Sequence, residues 1–329
     1  MFEALKARTK YCTILYRNVN GKRKWYVQLA QEGTPPKKYY YKKEGMVGLD
    51  IGPSTVAVVS NGQVDLIKFC NTIEVPQEEL TKIQRDMDRS KRSTNPHCYN
   101  ENVTIKKGSK FKFSNHYKEL KIEAQEIHRK LTAERKRSHG ELINKILGLG
   151  VVIQTETLYY KAFQKLFGKS VNKNAPGMFV EQLRRKALNA GGEVVELNTK
   201  GLKMSQYDHF TKTYAKKPLS QRWHELGDGS GFVQRDVYSA FLAYCAINNQ
   251  HHPIHLQSEW TIQKPVLVQT GWFQTVKPSN KVQIGPQASL LPAEKVVCKK
   301  EFASGLNREV NLEKGTLESP IGSILETKA

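Results

Sequence analysis

The chain has 329 residues, 39% of them hydrophobic, which is enough for one large domain or two modest ones with a real core and leaves some length for loop or tail. Lys and Arg outnumber Asp and Glu 52 to 31, a formal charge of +21, and an excess of that size favours a polyanionic partner, nucleic acid first, over a basic protein that is merely soluble. No apolar run approaches the roughly 20 residues of a membrane span, and the opening "MFEALKARTK" has no signal-peptide core. Cys12, Cys70, Cys98, Cys245 and Cys298 lie far apart without paired spacing, which argues against a disulfide framework or a cysteine zinc site and for a reducing cytoplasm.

Residues 1–44 read as a small β unit, clearest from Lys10 to Tyr41. In "KYCTILYRNVNGKRKWYVQLA" two alternating β-branched and aromatic runs flank Asn20-Gly21, a hairpin signal, and Pro35-Pro36 end the pattern. The segment "MVGLDIGPSTVAVVS" is an apolar strand with Asp50 in its middle. After the turn at Asn61-Gly62, "QVDLIKFC" reads as its antiparallel neighbour.

From about 77 to 147 the chain is predicted mostly helical and basic. Leu120, Ile127, Leu131, Leu142 and Ile146 keep helical spacing, and "STNPHCYNENVTIKKGSKFKFSN" is a turn-rich basic connection between two helices. Lysines on helices are ordinarily a solvated face. Here the excess runs through loop and helices alike, which favours a surface facing nucleic acid.

Next comes "LGVVIQTETLYY", a strand apolar until Glu156. A helix from about Phe179 to Ala190 stops at Gly191-Gly192, and "EVVELN" is a further strand. Residues 201–231 read as irregular and polar. A last helix opens near Phe232 in "VQRDVYSAFLAYCAINN", with Asp236 on its first turn. From 251 to 329 the aperiodic scatter of Pro, Ser, Gln and Gly predicts a disordered or loosely attached tail.

A carboxylate in an apolar strand is costly unless paired, hydrogen-bonded or bound to a cation. Asp50 and Glu156 on strands and Asp236 on a helix start are residues that can converge at one edge of a mixed sheet. Phosphodiester cleavage by two Mg²⁺ ions about 4 Å apart needs such a cluster. Each acid also has an ordinary role open to it: Asp50 at the Gly52-Pro53 turn, Glu156 in an ion pair, Asp236 at a helix N-terminus.

In order, "VGLDIGPSTVAVVS", "VVIQTETLYY" and "VQRDVYSAFLAY" resemble the three catalytic segments of the RuvC-type, RNase H-like nuclease domain. They are most similar to its TnpB form, the transposon-encoded RNA-guided nucleases related to type V CRISPR effectors. The basic helices before the glutamate strand and "YKKEG" before Met46 are similar too, so the resemblance covers about 10–249. It implies an α/β, RNase H-like (RuvC) mixed sheet at 45–250 with a basic helical insertion, preceded by a partial wedge-like β unit. It also implies Asp50, Glu156 and Asp236 as catalytic metal ligands, Mg²⁺ or Mn²⁺ as cofactor, and a guide RNA from the same locus and target DNA as partners.

Two departures qualify the resemblance. The ribbon region, 201–231, lacks the four zinc-binding cysteines such proteins carry, so zinc is not expected; Asp208, His209 and His224 are donors there, but thiolates normally anchor structural zinc. The helical recognition lobe and first wedge strands have no counterpart, so a shortened product, or a second chain supplying the lobe, is expected. A non-cutting nucleic-acid binder and an unguided RuvC-like nuclease are the alternatives. Packing is expected over base stacking for Tyr39–Tyr41 and Tyr159-Tyr160, while Trp223 beside Arg222 is open to either role.

Overall fold

The computed structural model describes residues 5–33, 45–157 and 159–278. All lie in the unit Met1–Leu290; a second unit, Leu291–Ala329, lies outside the described residues. At the N-terminus β1 (Thr9–Val19) and β2 (Lys22–Gln31) form a hairpin. Its turn residues Asn20 and Gly21 both take positive φ, 50° and 72°, as a two-residue turn matched to strand twist requires. Alternation gives this ribbon one apolar face, on which Tyr16 lies opposite Trp25, Ile14 opposite Val27 and Cys12 opposite Leu29. All six side chains are exposed.

The central sheet holds β3 (Met46–Ile51), β4 (Thr55–Ser60), β5 (Gln63–Lys68), β6 (Val152–Glu156) and β7 (Glu193–Leu197), in the order β5-β4-β3-β6-β7. The apolar run 46–60 is two strands rather than one. Residues 52–54 turn the chain back, with the Gly52 N–H donating to the Thr55 carbonyl at 2.9 Å. Strands β3, β4 and β5 are therefore antiparallel, while β3, β6 and β7 are parallel. Parallel neighbours need long crossovers. The first carries α1 (Gln77–Thr94) and α2 (Asn115–Leu149); the second carries α3 (Tyr160–Asn174) and α4 (Pro176–Asn189).

Beyond β7 come a single turn, α5 (Thr199–Leu202), and the short strands β8 (Tyr207–Asp208), β9 (Thr213–Tyr214), β10 (Trp223–Glu225) and β11 (Phe232–Gln234). The last predicted helix begins later than expected, as α6 (Arg235–Tyr244), because Phe232–Gln234 pairs as a strand. The Gln234 side chain caps it, accepting from the Val237 N–H at 2.7 Å.

The tail predicted from His251 is corrected over its first part. Residues Pro253–Gln269 form α7, and β12 (Phe273–Gln274) pairs with β11. Leu256, Trp260, Gln263 and Leu267 fall on one helical face and are buried, and the Gln263 amide donates to the Ser60 carbonyl at 2.7 Å. Gln and Ser on the outer face diluted that periodicity in the sequence. Residues 279–329 lie outside the described residues, as do Tyr39–Tyr41.

Two cores sandwich the sheet. Val47, Leu49, Ile51, Val56 and Val58 pack with Ile143, Ile146, Phe179 and Leu183 of α2 and α4. On the other face Ala57, Val59, Leu66 and Leu197 pack with Val237 and Phe241 of α6 and with Trp260 of α7. The period of two sends Gly48 and Asp50 to the α6 side.

Candidate functional site

Strand pairing brings two of the acids together. β3 and β6 run in register from Met46–Val152 to Leu49–Thr155. One step further, Asp50 and Glu156 stand side by side on parallel strands about 4.8 Å apart. Glu156 is in register with Leu197, which belongs to the core beneath α6, so both carboxylates end on the helix side of the sheet.

The helix comes unusually close there. A Cβ on Gly48 would lie 2.2 Å from the Ala240 carbonyl oxygen and 2.4 Å from the Tyr244 nitrogen. Only glycine permits that backbone contact. It pins the middle and end of α6 against β3, one turn beyond Asp236.

Asp50 lies within electrostatic reach of both other acids. Burial raises the Asp50 carboxyl well above its usual range, and the charges of Asp236 and Glu156 raise it further; Arg235 and the Ser239 hydroxyl oppose the rise. Burial also raises Glu156, against a hydrogen bond from the Met204 N–H. Asp236 is flanked by cations, with Arg235 Nε 3.5 Å from Oδ1 and Arg222 Nη1 4.0 Å from Oδ2. Arg235 is itself anchored, donating through Nη1 to the Gln221 carbonyl at 3.0 Å.

Among the described residues no three His, Cys, Asp or Glu side chains close on one point as metal ligands. Asp50 and Glu156 instead stand side by side, with Asp236 within electrostatic reach of Asp50. Three hard carboxylates near one sheet edge are a donor set suited to a hard divalent cation such as Mg²⁺ or Mn²⁺.

Beside Asp236 opens a cleft of about 540 Å³ whose lining includes Lys68, Lys169, Lys173 and Arg222. Cations from β5, α3 and the loop before β10 thus face one space, which suits phosphate oxygens. The lysines of α3 were missed because "TLYY" read as the end of a strand. The signal was present: Lys161, Lys165, Lys169 and Lys173 recur every four residues.

The ribbon region is knit by a buried carboxylate. Asp208 Oδ1 accepts from the Phe210 and Thr211 N–H groups at 3.0 and 2.9 Å and from Thr211 Oγ1 at 3.1 Å. Its Oδ2 accepts from the Gly227 N–H at 3.0 Å and from His224 Nε2 at 2.8 Å. Lys217 Nζ donates to His224 Nδ1, which fixes the ring tautomer with its proton on Nε2. His209 Nδ1 meets the Tyr238 hydroxyl at 2.6 Å. Asp208 and both ring nitrogens of His224 are thus occupied in hydrogen bonds, whereas His209 Nε2 is buried without a partner among the described residues. Trp223 is buried and packs, whereas Tyr159 is exposed.

No family model and no curated protein matches this chain. Among solved structures it is similar to a Cas12f1–sgRNA–target DNA complex, at 15% identity and TM-score 0.43, over 71% of this chain and 45% of that one. It is also similar to a CRISPR-Cas12f ternary complex, at 13% identity and TM-score 0.38, over 75% of this chain and 47% of that one. The chain therefore spans less than half the length of either. The class is defined by the sheet itself: a mixed five-stranded α/β fold of RNase H-like type, with helices on both faces and acids at the carboxyl ends of its central parallel strands.

Proposed function

We propose that this chain is a divalent-cation-dependent DNA endonuclease of TnpB type, directed by a guide RNA. The observation that supports the nuclease reading is the placement of Asp50 and Glu156 side by side at the carboxyl ends of parallel strands, with Asp236 on the first turn of the helix packed against β3. The guide RNA and target DNA come from the resemblance of the three ordered segments, and the +21 charge is in keeping with both.

In this reading Asp50, Glu156 and Asp236 hold the divalent ions, which when bound supply water activation and stabilisation of the leaving oxygen. The protein's own groups do the positioning. Lys68, Lys169, Lys173 and Arg222 bind phosphates along the cleft and draw the strand past Asp236. Arg235, tied to the 218–222 loop, fixes the orientation of the Asp236 carboxylate. The contact at Gly48 sets the distance between helix and strand acids.

The test is to sequence the RNA that co-purifies with the chain, then assay cleavage of matching DNA with Mg²⁺. A single locus-derived RNA, and cleavage lost on Asp50→Ala with binding kept, are expected. Unchanged cleavage in that variant removes Asp50 from the mechanism. A second reading, a binder that no longer cuts, is favoured by the open arrangement of the acids; metal-dependent turnover of DNA excludes it.

A further inference from the structure

The connection between α1 and α2, far along the sequence from all three acids, is a built structure. Between Lys91 and Lys112 the sequence has six Lys or Arg and one acid, Glu101. The loop is closed by Asn95, fully buried, whose Nδ2 donates to the Lys91 and Lys112 carbonyls at 2.8 Å each. Its Oδ1 accepts from the Lys112 N–H at 2.7 Å. Cys98 is buried beneath, and Ser114 caps α2 by accepting from the Tyr117 N–H at 3.0 Å.

This frame carries aromatic rings among the lysines. Phe113 is 44% exposed and stacked on Tyr117, with centroids 4.5 Å apart. Tyr99 meets Phe111 edge-on at 5.9 Å, and Lys91 Nζ lies 4.1 Å from the Phe111 centroid. An open groove of about 550 Å³ is lined by Tyr99, Asn100, Glu101, Asn102 and Lys106. At its rim Val103 is held at φ 64° while 52% exposed. A β-branched residue adopts that conformation only where the surrounding structure imposes it, and such strain gathers at ligand-binding places.

Lys106, Lys107, Lys110 and Lys112 are exposed and form no ion pair among the described residues. α2 begins beside this tip and runs 35 residues, about 52 Å, back toward the sheet. A solvated charged face needs no buried asparagine staple, no exposed aromatic stack and no strained rim.

We propose that the tip is a separate binding site for single-stranded nucleic acid, bases resting on Phe113 and in the Tyr99 groove and phosphates on Lys106, Lys107 and Lys110. This rests on the nucleic-acid partner of the proposed function but not on cleavage.

The test uses the full chain without divalent ions and fluorescein-labelled 20-nucleotide RNA and DNA of one sequence, with the corresponding DNA duplex as a third probe. Replacing Lys106, Lys107 and Lys110 with Gln is expected to weaken single-strand binding at least tenfold and to reduce the slope of log K against log salt by about 2. Phe113→Ala is expected to weaken it about 5- to 100-fold with little change in slope. The RNA and DNA arms identify which strand the site takes.

The control replaces three scattered exposed lysines, Lys82, Lys212 and Lys277, with Gln. Equal loss in control and tip variants overturns the site, as does tighter binding of the duplex than of either strand. No binding of either strand by the unaltered chain overturns the site and the nucleic-acid reading together. A chain that binds through the tip but never cuts overturns only the nuclease reading.

Discussion

Gly48→Ala adds one methyl group at the point where β3 touches α6. The added carbon would sit 2.2 Å from the Ala240 carbonyl oxygen, 2.4 Å from the Tyr244 nitrogen and 2.7 Å from its Cα, all backbone atoms. Reaching ordinary contact at 3.4 Å requires helix and strand to part by about 1.2 Å, since neither hydrogen-bonded backbone can yield locally. Overpacking of this kind costs about 1–3 kcal/mol, and an obstacle made wholly of backbone points to the upper end. For a domain of this size that is a Tm lower by about 6–12 °C. The same shift carries Asp236 away from Asp50 and Glu156, and a 1 Å misplacement costs about 100-fold in rate. Urea denaturation followed by tryptophan fluorescence measures the first effect and single-turnover cleavage the second. Gly168→Ala is the control, because nothing lies within 4 Å of its added carbon. A Gly48→Ala protein within 0.5 kcal/mol of the parent, with the control behaving alike, refutes the backbone contact.

Asp208→Ala leaves the His224, Phe210, Thr211 and Gly227 donors without their acceptor and is expected to cost about 3–5 kcal/mol in the same denaturation assay. Burial pushes Asp208 up, but hydrogen bonds from His224, Thr211 and Gly227 outweigh it and hold the carboxyl well below its ordinary 3.8. Its contribution is therefore complete above pH 3.8 and is lost as pH falls toward the folded-state value, a loss that a stability–pH curve of Asp208→Asn lacks. Burial pushes His209 down to about 4 from 6.5, so the fold loses stability as pH falls through that interval, and His209→Gln flattens that part of the curve. Mg²⁺ or Mn²⁺ is expected to raise the Tm of the parent and not of Asp50→Asn; equal shifts in both remove Asp50 from the cation site. Treatment with a chelator is expected to leave the unfolding of the Trp223 region unchanged, and a lowered midpoint there would reveal a bound structural metal.

Alternating and helical periodicity exposed the strands around Asp50, Glu156 and Val195 and the long basic helices, because one-sided burial imprints a period on the sequence. The ordered acids were equally legible, since a carboxylate inside an apolar strand stands out against its neighbours. The turn at Gly52-Pro53-Ser54 was legible as a turn, but the apolar runs on both sides of it are short and buried, so they read as one strand rather than two. α7 was hidden by Gln263, a polar residue buried for the sake of the Ser60 carbonyl. Asp208 illustrates a further limit: its partners are mainly backbone N–H groups and a histidine 16 residues on, and no local pattern announces such a hub.

The hairpin at the N-terminus bears on how this protein behaves in a tube. Its apolar face is exposed, both outer edges are unpaired among the described residues, and Lys10, Arg17, Lys22, Arg23 and Lys24 stand as charged guards. Those guards, with the overall excess of positive charge, keep two molecules apart at low ionic strength. The range of that repulsion shrinks from about 10 Å at 0.1 M salt to about 3 Å at 1 M. Washing at high salt, the usual way to strip polyanions from a basic protein, therefore removes the ligand and the colloidal protection in one step. The preparation freest of nucleic acid is also the one most prone to self-association through this ribbon.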